Sequence, residues 1–151
     1  MKKVKDIMSR DLTSVTEDTP LKDVAEVLSL RGINGIPVVN NKNEVSGWIS
    51  ERDLITNIFP EKVKIENPDV IGLGNLSQVV KKLTQVGSAK VKDYMSKTFF
   101  PVKEDTSAAD VAELMLHKDL KRVPVVRDKR LIGVVDRVSL AHILLEEGSL
   151  D

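Results

Sequence analysis

The sequence predicts a mixed α/β (α+β) protein made of two β-α-β-β-α units related by a pseudo-twofold axis. The first observation is an internal duplication: residues 4–39 return as residues 91–126, with 16 of the 36 pairs identical. The second is a pair of short apolar runs in each copy, separated by a polar turn, which is typical of a β-hairpin. The third is helical spacing of apolar residues before each hairpin. Because one such unit is too small to be stable alone, we expect the two to share a core.

Composition and charge exclude several classes of function. The 23 basic side chains balance the 23 acidic ones, so the chain lacks the positive charge of a general nucleic-acid binder. It has no cysteine, which excludes disulfides and thiolate metal sites, and His117 and His142 are too few for a histidine metal cage. No apolar run approaches the length of a membrane span, and the first residues lack a signal-peptide core. We therefore expect a soluble, cytoplasmic protein.

The first half of each repeat predicts a short helix, a short strand and a longer helix. The short helices run from Val4 to Met8 and from Val91 to Met95, and the strands lie near Val15 and Val102. Threonine is a common N-cap residue, so the longer helices are expected to begin after Thr19 and Thr106. Their apolar stripes follow a 3.6-residue spacing: Leu21, Val24, Ala25 and Leu28 in the first repeat, and Ala108, Val111, Ala112 and Met115 in the second.

The second half of each repeat predicts a hairpin and a final helix. The strands are 36–39 with 45–49 in the first repeat and 123–126 with 131–135 in the second. The final helices run from Glu51 to about Ile58 and from Arg137 to about Glu146. The turn of the second hairpin is one residue shorter, since Gly47 returns as Gly133 at an offset of 86.

A joining segment, residues 59–87, separates repeat 1 (1–58) from repeat 2 (88–151). Pro60 ends the last helix of the first repeat, and residues 60–74 contain two prolines and two glycines, which indicates a loop. Asn75 is then expected to cap an amphipathic helix that ends at Gly87. Its apolar stripe either packs on the domain or faces a partner chain, and consists of Leu76, Val79, Val80, Leu83 and Val86.

A candidate binding rim lies where the second hairpin strand of repeat 1 enters its final helix. Ser50 is a favourable N-cap residue, and Asp53 lies in the first turn. Free backbone N–H groups, a hydroxyl and a carboxylate at one rim suit a small phosphate or ribose. The alternative is that Ser50 is only a cap and Asp53 only a solvated acid.

The tandem units and their motifs resemble the cystathionine-β-synthase (CBS) domain pair, or Bateman module, here as a stand-alone chain. They are the Gly-x-Pro-Val-Val hairpin at Gly35, the Gly-x-x-Ser-x-x-Asp motif from Gly47 to Asp53, and the leading Val-Lys-Asp-x-Met-Ser of each repeat. The resemblance covers nearly the whole chain. It implies two clefts between the repeats that hold an adenosine derivative such as AMP, ADP, ATP or S-adenosylmethionine. It implies neither catalysis nor a required cofactor.

The resemblance assigns a first cleft to the complete motif of repeat 1. Asp53 would accept hydrogen bonds from the ribose hydroxyls, Ser50 would donate to phosphate, and Arg52 would add positive charge. Asn34 and Gly35 would lie near the phosphate, while Trp48 belongs either to the core or to the base pocket. Lys121 and Arg122 either form a solvated charge pair or contact phosphate. The base pocket would come from repeat 2, through Thr106, Val111, Leu120, Lys121 and Arg122.

The second cleft departs from the family pattern. Asp136 stands where serine or threonine is expected, and Ser139 stands where aspartate is expected. Asp136 would face a phosphate and repel it. We therefore predict one nucleotide per chain, with the second cleft empty or holding an uncharged or cationic adenosine such as S-adenosylmethionine. The residues implied for it are Thr19, Val24, Ile33, Asn34, Gly35, Val134, Asp136 and Ser139.

Three classes of function stay open at this point. The first is a regulatory module that binds an adenosine ligand, and the second is a structural or protein-interaction module with empty clefts. The third, an enzyme using Asp136 as a base or metal ligand, is disfavoured because the sequence has no Ser-His-Asp set, no Walker loop and no paired carboxylates. The resemblance also implies a homodimer, a disc of four repeats joined through helices, and a regulated enzyme or transporter as partner.

Overall fold

Each repeat is built around one β-hairpin with a helix before it and a helix after it. In the computed structural model, which describes residues 2–58 and 73–148, the predicted mixed α/β fold is confirmed, although repeat 2 lacks the predicted first strand. The first repeat contains α1 (Val4–Ile7), β1 (Val15–Thr16), α2 (Leu21–Arg31), β2 (Gly35–Val39), β3 (Val45–Ser50) and α3 (Glu51–Ile58). Then come α4 (Leu73–Ser88), a 3₁₀ turn (Val91–Asp93), α5 (Ala108–His117), β4 (Arg122–Arg127), β5 (Arg130–Asp136) and α6 (Arg137–Glu147).

The helices α2 and α5 begin one residue later than predicted. Their N-caps are Pro20 and Ser107, and the Ser107 hydroxyl accepts a hydrogen bond from the amide of Asp110 at 3.1 Å. Thr19 and Thr106 do not cap these helices, because their hydroxyls accept from backbone amides three residues earlier and close the preceding turn. Such local side-chain bonds compete with helix capping for the same oxygen. The predicted helix from Val91 is also shorter, being a single 3₁₀ turn.

The two hairpins form two small sheets. In repeat 1, β1 lies parallel to β2, and β2 lies antiparallel to β3. In repeat 2, β4 and β5 pair in the same way, and Val102 forms only an isolated parallel bridge with Val125 in place of a first strand. The β4–β5 turn has positive φ at Asp128 and Lys129, as expected of a two-residue type I′ turn.

The leading segments of the two repeats are exchanged. Val4 and Ile7 are buried in the core of repeat 2, while Val91 is buried in the core of repeat 1. The backbones of Ser9 and Val134 exchange two hydrogen bonds, of 2.8 and 2.9 Å. The equivalent pair, Ser96 and Trp48, does the same at 2.8 and 3.0 Å. Each core is therefore completed by residues from the other half of the sequence.

Gly47 and Gly133 lie where the exchanged segments cross the hairpins. A Cβ atom at Gly47 would lie 2.8 Å from Met95 Sδ and 2.9 Å from the Ser96 carbonyl oxygen. At Gly133 it would overlap the carbonyl oxygen of Ser9 and the methyl group of Met8. The absence of a side chain is what lets the two backbones approach closely enough to bond.

The pseudo-twofold axis passes between the hairpins. Glu44 of repeat 1 bridges its own equivalent, Arg130 of repeat 2. Gly35 and Arg122 are also equivalent positions, and the Arg122 Nη1 donates to the Gly35 carbonyl at 3.2 Å. A long side chain at position 122 therefore lies next to the axis and reaches both sides of it.

Helix α4 differs in detail from the sequence prediction. It begins at Leu73, so Asn75 lies inside the helix and not at its cap, and it continues to Ser88, one residue beyond Gly87. Val86 packs against the core of repeat 1, whereas Leu83 is 41% exposed, so the predicted stripe is only partly covered. The rest of the predicted loop, residues 59–72, and the side chains of residues 73–79 lie outside the described part of the chain. Within residues 2–58 and 73–148, the helices are too short or too polar to cross a membrane.

Candidate functional site

The Ser50–Asp53 rim forms a reciprocal capping arrangement at the start of α3. Asp53 Oδ2 accepts from the Ser50 amide at 2.9 Å and from the Ser50 hydroxyl at 3.2 Å. The Asp53 amide in turn lies 3.4 Å from Ser50 Oγ. This is a capping box, which satisfies two backbone donors at the helix end and fixes both side chains. Among the described residues, Asp53 Oδ1 takes no hydrogen bond and is left for another donor.

Two adjoining cavities open beside this rim, and we call them together the first cleft. The smaller has a volume of about 200 Å³ and is lined by Trp48, Ser50, Asp53, Ser96, Thr98, Phe99, Phe100, Leu120, Arg122, Val123 and Pro124. The other has about 300 Å³ and is lined by Asn34, Trp48, Ser50, Glu51, Arg52, Asp119, Leu120, Lys121 and Arg122. Both repeats contribute walls. The volume of the second cavity alone reaches the lower end of the range of small-molecule sites, roughly 300–1,000 Å³.

Most of the residues predicted for the first cleft come together there. They are Asn34, Trp48, Ser50, Arg52, Asp53, Leu120, Lys121 and Arg122. Gly35 lies behind the wall: it is buried on β2, with its Cα so close to the indole that a Cβ would be 2.6 Å from Trp48 Nε1. Trp48, which the sequence left between core and cleft, lines both cavities.

Thr106 and Val111 do not line the first cleft, which corrects their assignment to a base pocket. Val111 is 1% exposed and belongs to the core of repeat 2. The hydroxyl of Thr106 accepts from the Lys103 amide in the turn before α5. The wall expected from them comes instead from residues 96–100, because the exchanged leading segment of repeat 2 lies across β3 at Trp48.

Sequence reasoning missed several residues of the first cleft, of which Phe99 and Phe100 are the most informative. The chain contains three phenylalanines, one tryptophan and one tyrosine, so two adjacent phenylalanines were a usable signal. Trp48, Phe99 and Phe100 supply three of these five aromatic rings to one cavity. Aromatic faces are suited to stacking on a nucleobase. The other missed residues are Glu51, Ser96, Thr98, Asp119, Val123 and Pro124.

The wider part of the first cleft has cations available for an anion. The negative charge of Asp119 is paired with Arg137, whose guanidinium donates a hydrogen bond to it at 2.9 Å and lowers the pKa of Asp119 below its usual value. Arg52 and Lys121 are exposed and form no ion pair within residues 2–58 and 73–148. Among the described residues, Glu51 is the remaining acid on this wall. The arrangement leaves two positive side chains facing one negative one.

The second cleft contains an ion cluster centred on Arg122, whose side chain is only 5% exposed. Its Nη2 donates to Asp11 Oδ2 at 3.3 Å, and its Nε lies 3.7 Å from Asp136 Oδ2. With the Nη1 bond to Gly35, three nitrogens of the guanidinium face three oxygen atoms from three segments. Nε is buried and has no hydrogen-bond partner at ordinary distance among the described residues.

Asp11 is held ionised by its neighbours in this cluster. Partial burial, the largest single effect, acts to raise its pKa. Hydrogen bonds from the Thr13 hydroxyl and amide and the ion pair with Arg31 outweigh that effect together, and lower the pKa of Asp11 to about 2. The carboxylate is therefore charged at neutral pH and attracts Arg122.

The other residues predicted for the second cleft are scattered. Val24 and Val134 are buried in the cores, and Thr19 closes a turn. Ile33 and Asn34 line a separate groove between α2 and α3, and Ser139 is exposed on α6. Only Gly35 and Asp136 meet, and they meet through Arg122. A larger cavity, of about 720 Å³, lies elsewhere, between residues 99–105 and the β4–β5 turn, and none of the predicted site residues line it.

The fold is a pair of repeats that together wall one cleft, and sequence comparison identifies its family. The CBS domain model matches residues 4–59 and 91–146, so the chain belongs to the CBS domain family as a tandem pair. It is 32% identical to the protein MJ1426 of Methanocaldococcus jannaschii, over 94% of this chain and 90% of that one. Two further curated relatives are longer, and the chain spans 34% and 22% of their lengths.

Two solved structures share the fold. The crystal structure of CBSX2 of Arabidopsis thaliana in complex with AMP has a TM-score of 0.75 and 24% identity, and covers 99% of this chain and 100% of that one. The CBS domain pair of protein MJ0100, in complex with 5′-methylthioadenosine and S-adenosyl-L-methionine, has a TM-score of 0.71 and 21% identity, with 97% and 98% coverage. At these identities the likeness concerns the fold.

Proposed function

We propose that this CBS pair is a non-catalytic regulatory module that binds one adenosine-containing ligand per chain in the first cleft. The observation that carries the proposal is the joint wall: Ser50 and Asp53 of repeat 1 face the aromatic segment 99–100 of repeat 2 across one cavity. The adenosine ligands of the CBSX2 and MJ0100 structures support the same class of ligand. Among AMP, ADP, ATP and S-adenosylmethionine, the phosphate-bearing ligands fit the first cleft best.

The ribose is assigned to Asp53. Oδ2 is already engaged by Ser50, and Oδ1 is available to a ribose hydroxyl. A hydrogen bond to a charged group contributes about 1.5–3 kcal/mol. The capping box supports this use, because a carboxylate that is already oriented loses little side-chain entropy on binding.

The base and the phosphate are assigned to the two ends of the first cleft. The smaller cavity, with Trp48, Phe99, Phe100 and Leu120, provides apolar and aromatic surface for the base. The wider cavity, with Arg52 and Lys121, provides positive charge for the phosphate. A ligand in this position contacts both repeats, so it stabilises one arrangement of the two, and a regulated enzyme or transporter would sense that arrangement.

Isothermal titration calorimetry with AMP, ADP, ATP and S-adenosylmethionine tests the proposal. We expect about one site per chain, and the loss of the ribose contact in Asp53→Ala weakens binding roughly 10- to 150-fold. Asp53→Asn retains the size of the side chain and separates the effect of charge from that of the cap. Asp23→Ala, an exposed acid in the first turn of α2, is the matched control and should bind like wild type. Unchanged affinity in Asp53→Ala would contradict the assignment.

A second candidate is a structural homodimer that needs no ligand. Several large apolar side chains on the helices are exposed in the single chain. They include Leu116 on α5, and on α6 Val138, which is 79% exposed, and Leu145, which is 87% exposed. Apolar patches of this kind mark association surfaces. Twofold pairing through these helices is compatible with both candidates. Sedimentation showing a dimer with no adenosine binding would favour the second, and a 16.7 kDa monomer at micromolar concentration would exclude this pairing.

A further inference from the structure

We propose that Arg122 is an internal cation that fills the second cleft and so limits the chain to one nucleotide. This inference rests on the proposed function, since it says why the equivalent cleft does not bind. Its guanidinium contacts Asp11, the Gly35 carbonyl and Asp136, and its side chain is almost completely buried. These contacts connect the leading segment, β2 and β5 to one another through a side chain, without a ligand.

The two repeats differ at the three positions that form this cluster. Arg122 is the equivalent of Gly35, Asp136 of Ser50, and Asp11 of Thr98. In the first cleft the three equivalents are a glycine, a serine and a threonine, and the site is an open cavity lined by the latter two. In the second cleft the three replacements form one ion cluster. Three separate departures from symmetry thus have a single explanation.

The position of Arg122 next to the pseudo-twofold axis explains how one residue affects both clefts. Arg122 lines both cavities of the first cleft, and its guanidinium contacts the acids of the second. A glycine at the same place, as in repeat 1, has no side chain to cross the axis. The sequence-based reason for an empty second cleft was repulsion between Asp136 and phosphate. The structure adds a physical occupant, and the two explanations make different predictions.

The charges also determine what an opened second cleft would prefer. Without Arg122, the cleft would keep the carboxylates of Asp11 and Asp136, with Arg31 as the nearest partner of Asp11. Two acids and one cation favour a cationic ligand over an anionic one. An adenosine with a positive sulfonium group, such as S-adenosylmethionine, therefore fits the opened cleft better than AMP.

The first test separates the occupant from the repulsion. In Asp136→Ser/Ser139→Asp the second cleft regains the hydroxyl and carboxylate of the first but keeps Arg122, held by Asp11 and Gly35. We expect calorimetry to find still one AMP per chain. Adding Arg122→Gly and Asp11→Thr should raise the number to two. A second AMP site in the double variant would overturn the proposal, because it would show that Arg122 does not fill the cleft.

The second test opens the cleft alone. In Asp53→Ala/Arg122→Gly, where the first cleft is weakened, we expect one site for S-adenosylmethionine that prefers it to AMP at least about tenfold. Asp53→Ala/Lys121→Gly removes a neighbouring exposed cation, changes the net charge equally and should gain no site. Circular dichroism confirms folding of each variant. A folded Asp53→Ala/Arg122→Gly that gains no site would overturn the proposal.

Outcomes for wild type distinguish this inference from the function on which it rests. No adenosine binding to wild type would contradict the proposed function. Two equal sites in wild type would leave the proposed function intact and overturn the role of Arg122. If Arg122→Gly does not fold, the double variant with Arg122 retained still decides between the occupant and the repulsion.

Discussion

Replacing Gly133 by alanine tests the exchange of leading segments more directly than any other single change. The new methyl group would overlap the Ser9 carbonyl oxygen, a backbone atom that cannot rotate away. The leading segment would have to move and lose its two hydrogen bonds with Val134. Each bond contributes about 1 kcal/mol, and overpacking costs about 1–3 kcal/mol more. We therefore expect Gly133→Ala to lower the free energy of unfolding by about 3–5 kcal/mol.

The equivalent change in the other repeat provides an internal comparison. In Gly47→Ala the closest atom is Met95 Sδ at 2.8 Å, on a flexible side chain, followed by the Ser96 carbonyl at 2.9 Å. Small shifts relieve both contacts and keep the bonds between Ser96 and Trp48. The cost should be about 1–3 kcal/mol, less than at Gly133. Gly87→Ala is the control, since its Cβ has an ordinary contact of 3.6 Å with Lys22 and helix α4 should gain about 1 kcal/mol.

Urea unfolding and thermal melting followed by circular dichroism provide the measurement. For a chain of this length, 1 kcal/mol corresponds to about 2–4 °C in melting temperature. The expected order of melting temperatures is Gly87→Ala above wild type, then Gly47→Ala, then Gly133→Ala. A melting temperature of Gly133→Ala equal to that of wild type, or above that of Gly47→Ala, would refute the close crossing of the leading segment over the hairpin at Gly133.

Two further predictions concern individual side chains. The pKa of Asp11 is about 2 in the folded chain against 3.8 normally, so its contribution of about 2 kcal/mol is present above pH 4 and disappears as pH falls toward 2. Urea titrations across that range should show a flatter pH dependence in Asp11→Asn. Ser107→Ala removes the hydroxyl that accepts from the Asp110 amide and should cost about 1 kcal/mol of stability, measured by the same unfolding assay. An unchanged midpoint would mean that Ser107 does not cap α5.

The element order and the Ser50–Asp53 rim could be predicted because their signals are local. Apolar runs, turns and helix caps are patterns of a few neighbouring residues, and each pattern occurs in both repeats. The sequence assigned Val111 both to a buried helical stripe and to the base pocket, and only the first use is compatible with its burial. The helix starts at Thr19 and Thr106 were wrong by one residue because each hydroxyl accepts from the backbone amide three residues earlier and not from the helix.

The contributions of Phe99 and Arg122 could not be predicted in the same way. Phe99 reaches the first cleft only because the leading segment of repeat 2 crosses to repeat 1, and no local pattern encodes that crossing. The contacts of Arg122 arise because it faces its equivalent, Gly35, across the pseudo-twofold axis, and that arrangement exists only once the two repeats are packed together. Both are consequences of long-range packing, which single-sequence periodicity does not report.

The exchange of leading segments also has a consequence for how the chain folds. Neither core is complete until Val4 and Ile7 have joined repeat 2 and Val91 has joined repeat 1. The pairing of Ser9 with Val134 closes a loop of nearly the whole chain, and such distant contacts slow folding. The two halves should thus unfold in one cooperative transition, despite being copies of one another. A repeat expressed alone would lack part of its interior and would recruit that part from a second molecule.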